Sequence, residues 1–136
     1  MSVPLFMLDT NAASAVIKGH EQAEKRLRAL PMDGWCISAV TRSELRFGLE
    51  LKPEATRLAM IVNAWLELAP VAPWDTAAAD AHAQLRAQLQ LAGTTIGVFD
   101  EMIAGHALAL GAVVVTNNVR HFNRAKGLIT QDWLQA

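Results

Sequence analysis

The chain has 136 residues, 52% of them hydrophobic, and a formal net charge of -1. That length and apolar content suffice for one folded domain with a substantial core, so residues 1–136 are expected to form a single domain. The near-neutral balance excludes a nucleic-acid binder that works through a global basic field, and any phosphate contact must come from a local cluster.

Cys36 is the only cysteine. An internal disulfide is thereby excluded, and a reducing compartment suits the chain. Met1 to Leu8 lacks the basic start and long apolar run of a signal peptide. Ile103 to Val115 is the most apolar later stretch, but His106 and Gly111 interrupt it and it is too short to span a bilayer. The expectation is a soluble cytoplasmic protein with no membrane partner.

Leu5 to Leu8 has the length of a strand, and Asp9-Thr10-Asn11 supplies capping residues before an Ala-rich helix over Ala12 to Lys18 that Gly19 ends. A second helix fits His20 to Leu30, where Pro31 and Gly34 break the pattern. Trp35 to Val40 reads as a strand. Thr41 to Leu51 reads as a helix, opened by Thr41-Arg42-Ser43-Glu44 in the form of a capping box. The next helix runs from Pro53 to Leu68 and carries an apolar stripe of Leu58, Ile61, Val62, Trp65 and Leu66.

Pro70 to Trp74 is a short edge strand, because proline is tolerated at an edge and not in a central ladder. Asp75 caps a helix over Thr76 to Leu91, Gly93 to Gly97 is a loop, and a further helix ends at Leu110 before Gly111. Ala112 to Thr116 is an uncharged, β-branched run suited to burial on both faces, with Asn117-Asn118 at its end. A last strand is expected at Leu128 to Thr130. Alternating strands and helices imply an α/β fold with a mostly parallel sheet and right-handed crossovers.

Three acids stand out from this layout. Taken singly, each has a structural role: Asp9 as an N-cap, Glu44 as the return arm of the capping box, and Asp100 as a first-turn charge against the helix dipole. Taken together, they follow or precede core strands at positions that a parallel sheet delivers to its C-terminal edge, where ligands collect. Clustered carboxylates there are hard oxygen ligands for a divalent cation.

The ordered set of motifs resembles the PIN-domain ribonucleases, specifically the VapC-type toxins of bacterial toxin-antitoxin pairs. The segments that carry it are Leu8 to Asn11, Ser38 to Gly48, Ile96 to Ala107, Val114 to Phe122 and Gly127 to Ile129. The resemblance implies a three-layer α/β/α fold with a short, mostly parallel central sheet, and an endoribonuclease in which Asp9, Glu44 and Asp100 bind Mg2+ or Mn2+ and cut RNA. It also implies a tRNA substrate, a small cognate antitoxin and a homodimer. Many PIN domains carry a further acid after the last core strand; Asn117-Asn118 stand there in this chain, and His121 stands where some relatives have Glu or Asp before the Phe. Asn118 is the position to examine as a fourth site residue, contributing an amide oxygen but no charge.

Local positive charge for RNA is expected from Arg42 and Arg46, four apart around Glu44, and from Arg120. His82, His106 and Trp74 are read as packing residues. A phosphatase with an Asp nucleophile is disfavoured by Asn11, which occupies the place of its second acid. A PIN-fold binding module, acting through a DNA-binding partner with little nuclease activity, is the alternative that the absent fourth acid leaves open.

Overall fold

The structure is a computed structural model that describes residues 4–135. Its centre is a five-stranded sheet, every pairing parallel, in the order β3-β2-β1-β4-β5. β1 (Phe6–Leu8), β2 (Trp35–Ser38) and β4 (Val113–Val115) are the interior strands and are buried throughout. β3 (Val71–Ala72) and β5 (Thr130–Gln131) are short, half-buried edges. β1 holds the middle, with Leu8 in register with Ile37 on one side and Val115 on the other.

Strand periodicity divides the core in two. Phe6, Leu8, Trp35, Ile37, Val113 and Val115 point to one face, where α1 (Thr10–Ile17), α2 (Glu21–Arg28) and α4 (Thr56–Leu68) bring Ala13, Val16, Leu27, Val62 and Leu66. Met7, Cys36 and Val114 point to the other, where α5 (Thr76–Ala92), α6 (Val98–Leu110) and α7 (Val119–Phe122) bring Leu85, Leu89, Ile103, Ala104 and Phe122. Helices on both faces of a parallel sheet whose three interior strands are buried make the expected three layers.

The sequence-based boundaries move in places, each for a local reason. β2 stops at Ser38 rather than Val40 because the Ser38 hydroxyl accepts the Val40 amide at 3.1 Å and starts α3 (Ala39–Glu50) early. The capping box at Thr41 is therefore wrong: Thr41 is a buried residue inside α3, and Glu44 lies in the body of the helix. α4 begins at Thr56, since Lys52 to Ala55 form a turn closed by the Ala55 amide on the Lys52 carbonyl. A 3-10 turn at Met32–Gly34 and the short α7 are additions, and the last strand lies later than expected, at Thr130–Gln131. The apolar stripe of α4 is split: Val62 and Leu66 are buried, Trp65 stacks at 5.7 Å against Trp35, and Leu58 and Ile61 stay open to solvent.

α5 and α6 pack closely where Gly105 meets His82. A Cβ at Gly105 would lie 2.6 Å from the His82 Cα, a backbone atom that cannot swing aside. Gly105→Ala should therefore cost about 1–3 kcal/mol of stability by overpacking. Chemical denaturation of the purified variant checks this, with Gly48→Ala, where a Cβ meets nothing, as the control expected to lose no stability.

Candidate active site

Strand order runs outward from β1 through β2 to β3, then returns to β4 on the opposite side of β1. The crevice between the C-terminal ends of β1 and β4 is the point at which such sheets bind ligands. Asp9 is the first residue beyond β1, and its amide donates to the Val115 carbonyl at 2.9 Å, which locks it to the end of β4. The Asp9 carboxylate is only 3% exposed. It accepts the Ala12 amide at 2.8 Å, capping α1, and a further hydrogen bond from the Thr116 side chain.

Those two donors do not compensate for what surrounds the group. Burial, with the charges of Asp100 and Glu44 added, pushes the Asp9 carboxyl up to about 6 against the hydrogen bonds that lower it. Asp100, in the first turn of α6, is also held above the ordinary carboxylate range by burial, opposed by neighbouring His121 and reinforced by Glu44. The three acids singled out from the sequence are thus electrostatic neighbours. α3 brings Glu44 in from the β2 side, and the Thr10 hydroxyl donates to its Oε1 at 2.5 Å. Thr10 lies 3.4 Å from the buried Thr41 hydroxyl, so α1 and α3 are stitched together beside Asp9.

Glu101, adjacent to Asp100, has a different task. Its buried carboxylate accepts the Ile96 amide at 3.1 Å and closes the loop that turns the chain from α5 into α6. Gly97, at φ +98°, makes that turn in a conformation L side chains rarely adopt. The loop thereby sets the first turn of α6 against the switch point.

The remaining expected positions fall around this cluster. Asn118 is exposed, and its side-chain amide lies 2.8 Å from His121 Nδ1, so its link to the acids runs through His121, which faces Asp100. Arg42 donates to the Leu66 carbonyl at 3.3 Å and Arg46 to Asn63 Oδ1 at 2.7 Å, both tying α3 to α4. Arg120 is exposed on α7. His106 is buried against Ser38 at 2.9 Å and Trp74 is anchored to the Met102 carbonyl at 3.1 Å, in agreement with packing roles. Thr10 and Thr116 were not singled out as site residues from the sequence, although each sits beside an end of the strand pair that frames the crevice, and His121 was noted only as standing where some relatives have an acid.

Residues 6–128 match the PIN domain. The chain belongs to the PIN-domain family. Within that family it is 40% identical over 128 residues to the tRNA(fMet)-specific endonuclease VapC of Shigella flexneri, covering 94% of this chain and 97% of that protein. It is 32% identical to ribonuclease VapC2 of Haemophilus influenzae, over 95% of this chain and 98% of that one. The crystal structure of DNA-bound VapBC from Salmonella typhimurium superposes with a TM-score of 0.88 at 40% identity, over 96% of this chain and 98% of that one.

The donor set of this PIN domain fits a divalent cation. Asp9 and Asp100 hold their protons more tightly than ordinary carboxyls, and the charge of Glu44 acts on both, so negative charge is concentrated where a cation would balance it. Among the described residues, no three His, Cys, Asp or Glu side chains close to direct metal-holding distance.

The crowding has a consequence for stability. Because the Asp9 carboxyl is raised from 3.8 to about 6 on folding, the folded state holds its proton more tightly than the unfolded chain. The metal-free protein should lose stability as pH rises from about 4 to about 6 and, above that, carry a cost on the order of 3 kcal/mol. Asp9→Asn keeps a capping residue but removes the charge, so it should raise the melting temperature at pH 7.5 and flatten its pH dependence. Thermal denaturation of both proteins in chelator, from pH 4 to 8, checks this, and Mn2+ should restore stability to the wild type far more than to the variant.

Proposed function

We propose that this PIN domain is a divalent-metal-dependent endoribonuclease, the toxin of a toxin-antitoxin pair, that hydrolyses phosphodiester bonds in RNA. What supports the proposal is the electrostatic influence of Glu44 and Asp100 on Asp9, and of Glu44 on Asp100, beside the sheet's switch point. Capping α1 would need only an uncharged acceptor such as Asn, so a buried carboxylate that opposes folding favours the nuclease reading over a binding module. The similarity to a tRNA(fMet)-specific endonuclease favours a tRNA, the initiator type included, as substrate.

A bound divalent cation would shield the phosphoryl oxygens and lower the pKa of an attacking water. The chain's own residues do the rest. Asp9, fixed by the Ala12 amide and Thr116, and Asp100, set by the first turn of α6, would be the direct ligands. Glu44 would take the proton from the attacking water as general base, or join the ligands, its orientation fixed by Thr10. Arg120 is exposed beyond the end of β4 and is available to a backbone phosphate, whereas Arg42 and Arg46 would have to leave α4 to reach one.

The partner side of the proposal uses the opposite layer. Ile17, Leu45, Leu49, Leu51, Leu58 and Val62 line a cleft of about 250 Å3 among α1, α3 and α4. Exposed Ile61 and Leu68 continue the apolar surface along α4. An amphipathic antitoxin helix would bury this surface, in keeping with the similarity to a VapBC complex. A homodimer belongs to the same proposal, with sedimentation as its test.

Purified protein should cleave tRNA with Mg2+ or Mn2+ and stop when chelator is added. Asp9→Asn and Asp100→Asn should each reduce the rate by roughly 10^3-fold or more, with the double variant little worse, because the acids act as one unit. Thr10→Val, which frees Glu44 and removes the longer contact to Thr41, should cost about 10- to 100-fold. Gel assays with purified variants measure this, and activity surviving both Asn substitutions would refute the site. Separately, Leu58→Glu should weaken capture of the cognate antitoxin, read by calorimetry, while the free toxin's cleavage rate stays unchanged.

A further inference from the structure

A second cleft of about 230 Å3 lies between the first turns of α3 and α6, lined by Ala39, Val40, Ser43, Trp74, Phe99 and Met102. Ser43 immediately precedes Glu44, and Phe99 immediately precedes Asp100. The cleft therefore opens one residue along each helix from the acids, on the side of the sheet that carries β3. Its lining contains no charged side chain, and the Ser43 hydroxyl is the only polar side-chain group among aliphatic, thioether and aromatic neighbours.

The two aromatic residues differ in how they are held. Trp74 is fixed, with its Nε1 donating to the Met102 carbonyl at 3.1 Å and the His82 ring edge-on at 5.5 Å. Phe99 is 53% exposed although it sits in the turn that presents Asp100. Leaving a large apolar ring half in water beside a charged site stabilises nothing in the isolated chain. It does provide a flat surface where a planar group can be sandwiched.

We propose that this cleft is a nucleobase subsite, in which the unstacked base of a nucleotide flanking the scissile phosphate inserts against Phe99, with Trp74 as the rigid wall behind. The inference rests on the nuclease reading above and names how that site takes hold of its substrate. Single-stranded RNA exposes bases that stack on aromatic side chains, and a strand whose phosphate lies among the acids must place its adjoining bases to one side or the other. The switch-point side toward β4 is lined by charge and polar groups, Asn118, Arg120 and His121. The β3 side offers the uncharged cleft. The Ser43 hydroxyl at the rim is placed to bond a base edge.

The test is RNA binding and cleavage by Phe99 variants. Phe99→Ala and Phe99→Leu should each weaken binding of a loop RNA to an Asp9→Asn background in Mn2+ by roughly 5- to 100-fold, the range of one base-aromatic stack. Phe99→Tyr and Phe99→Trp, which keep a flat ring, should bind as the parent does. Leucine is the decisive variant, because it preserves apolar bulk for packing or for contact with another copy but cannot stack. Replacing each base near the cut by an abasic residue should locate one position at which the Phe99→Leu penalty disappears, and 2-aminopurine there should be quenched on binding. Melting temperature and sedimentation of Phe99→Leu should match the parent.

Failure of the wild type to cleave any RNA would overturn the nuclease reading and this inference with it. Cleavage by the wild type, with Phe99→Leu binding RNA as tightly as the parent, would overturn the subsite alone. A change in oligomeric state with unchanged RNA affinity would assign the cleft to a second copy of the chain and likewise overturn the proposal.

Discussion

Burial of the Asp9 carboxylate at the exit of the central strand is the constraint around which the molecule is arranged. The group sits 3% exposed, on a residue whose amide is locked to Val115 and whose side chain caps α1. Two further acids add their charge to the same volume. A folded chain would be more stable without that arrangement, and the cost is met by packing elsewhere: β1 lies in the middle of five parallel strands, with apolar side chains of three helices on one face and three on the other. Strain held in place by a rigid core is the usual condition of a site built for a cation or a reacting group.

The supporting contacts follow from that requirement. Thr10 and Thr41 join α1 to α3, and the Thr10 hydroxyl holds the Glu44 carboxylate next to the start of α1. Glu101 and Gly97 shape the turn from which Asp100 starts in α6. Gly105 lets α5 and α6 approach to backbone contact, which fixes the angle at which the first turn of α6 arrives. His106, buried against Ser38, connects α6 to the start of α3 and so links the elements bearing Asp100 and Glu44. Each contact is remote from any phosphate, yet each decides where a carboxylate points.

Much of this could be read from the amino-acid order. The triple-valine strand, the Gly stops, Asp75 and Asp9 as caps and the alternation of strand and helix all rest on strong local preferences, and the structure has them. Asp9 and Asp100 were legible because each lies at a strand or helix end, where topology restricts its destination, whereas Glu44 lies in the body of α3. The end of β2 was not, since Ser38 and Thr41 are equally good caps by sequence and only the buried place of Thr41 beside Thr10 decides between them. Nor was the pairing of Asn118 with His121, because a three-residue separation becomes a contact only once α7 has formed. The α4 stripe was visible as apolar, but its division into a buried half and an exposed half depends on how far α1 and α3 reach across it.

Asp9, Glu44 and Asp100 are proposed to form one cation site on the C-terminal edge of the sheet. Anomalous diffraction from crystals soaked in Mn2+, recorded on the wild type and on Asp9→Asn, tests it most directly. A manganese peak is expected among the three carboxylates of the wild type, bonded to them directly or through water, with its loss or marked weakening in the variant. A manganese peak bound elsewhere on the protein, or one that persists undiminished beside Asn at position 9, would contradict it.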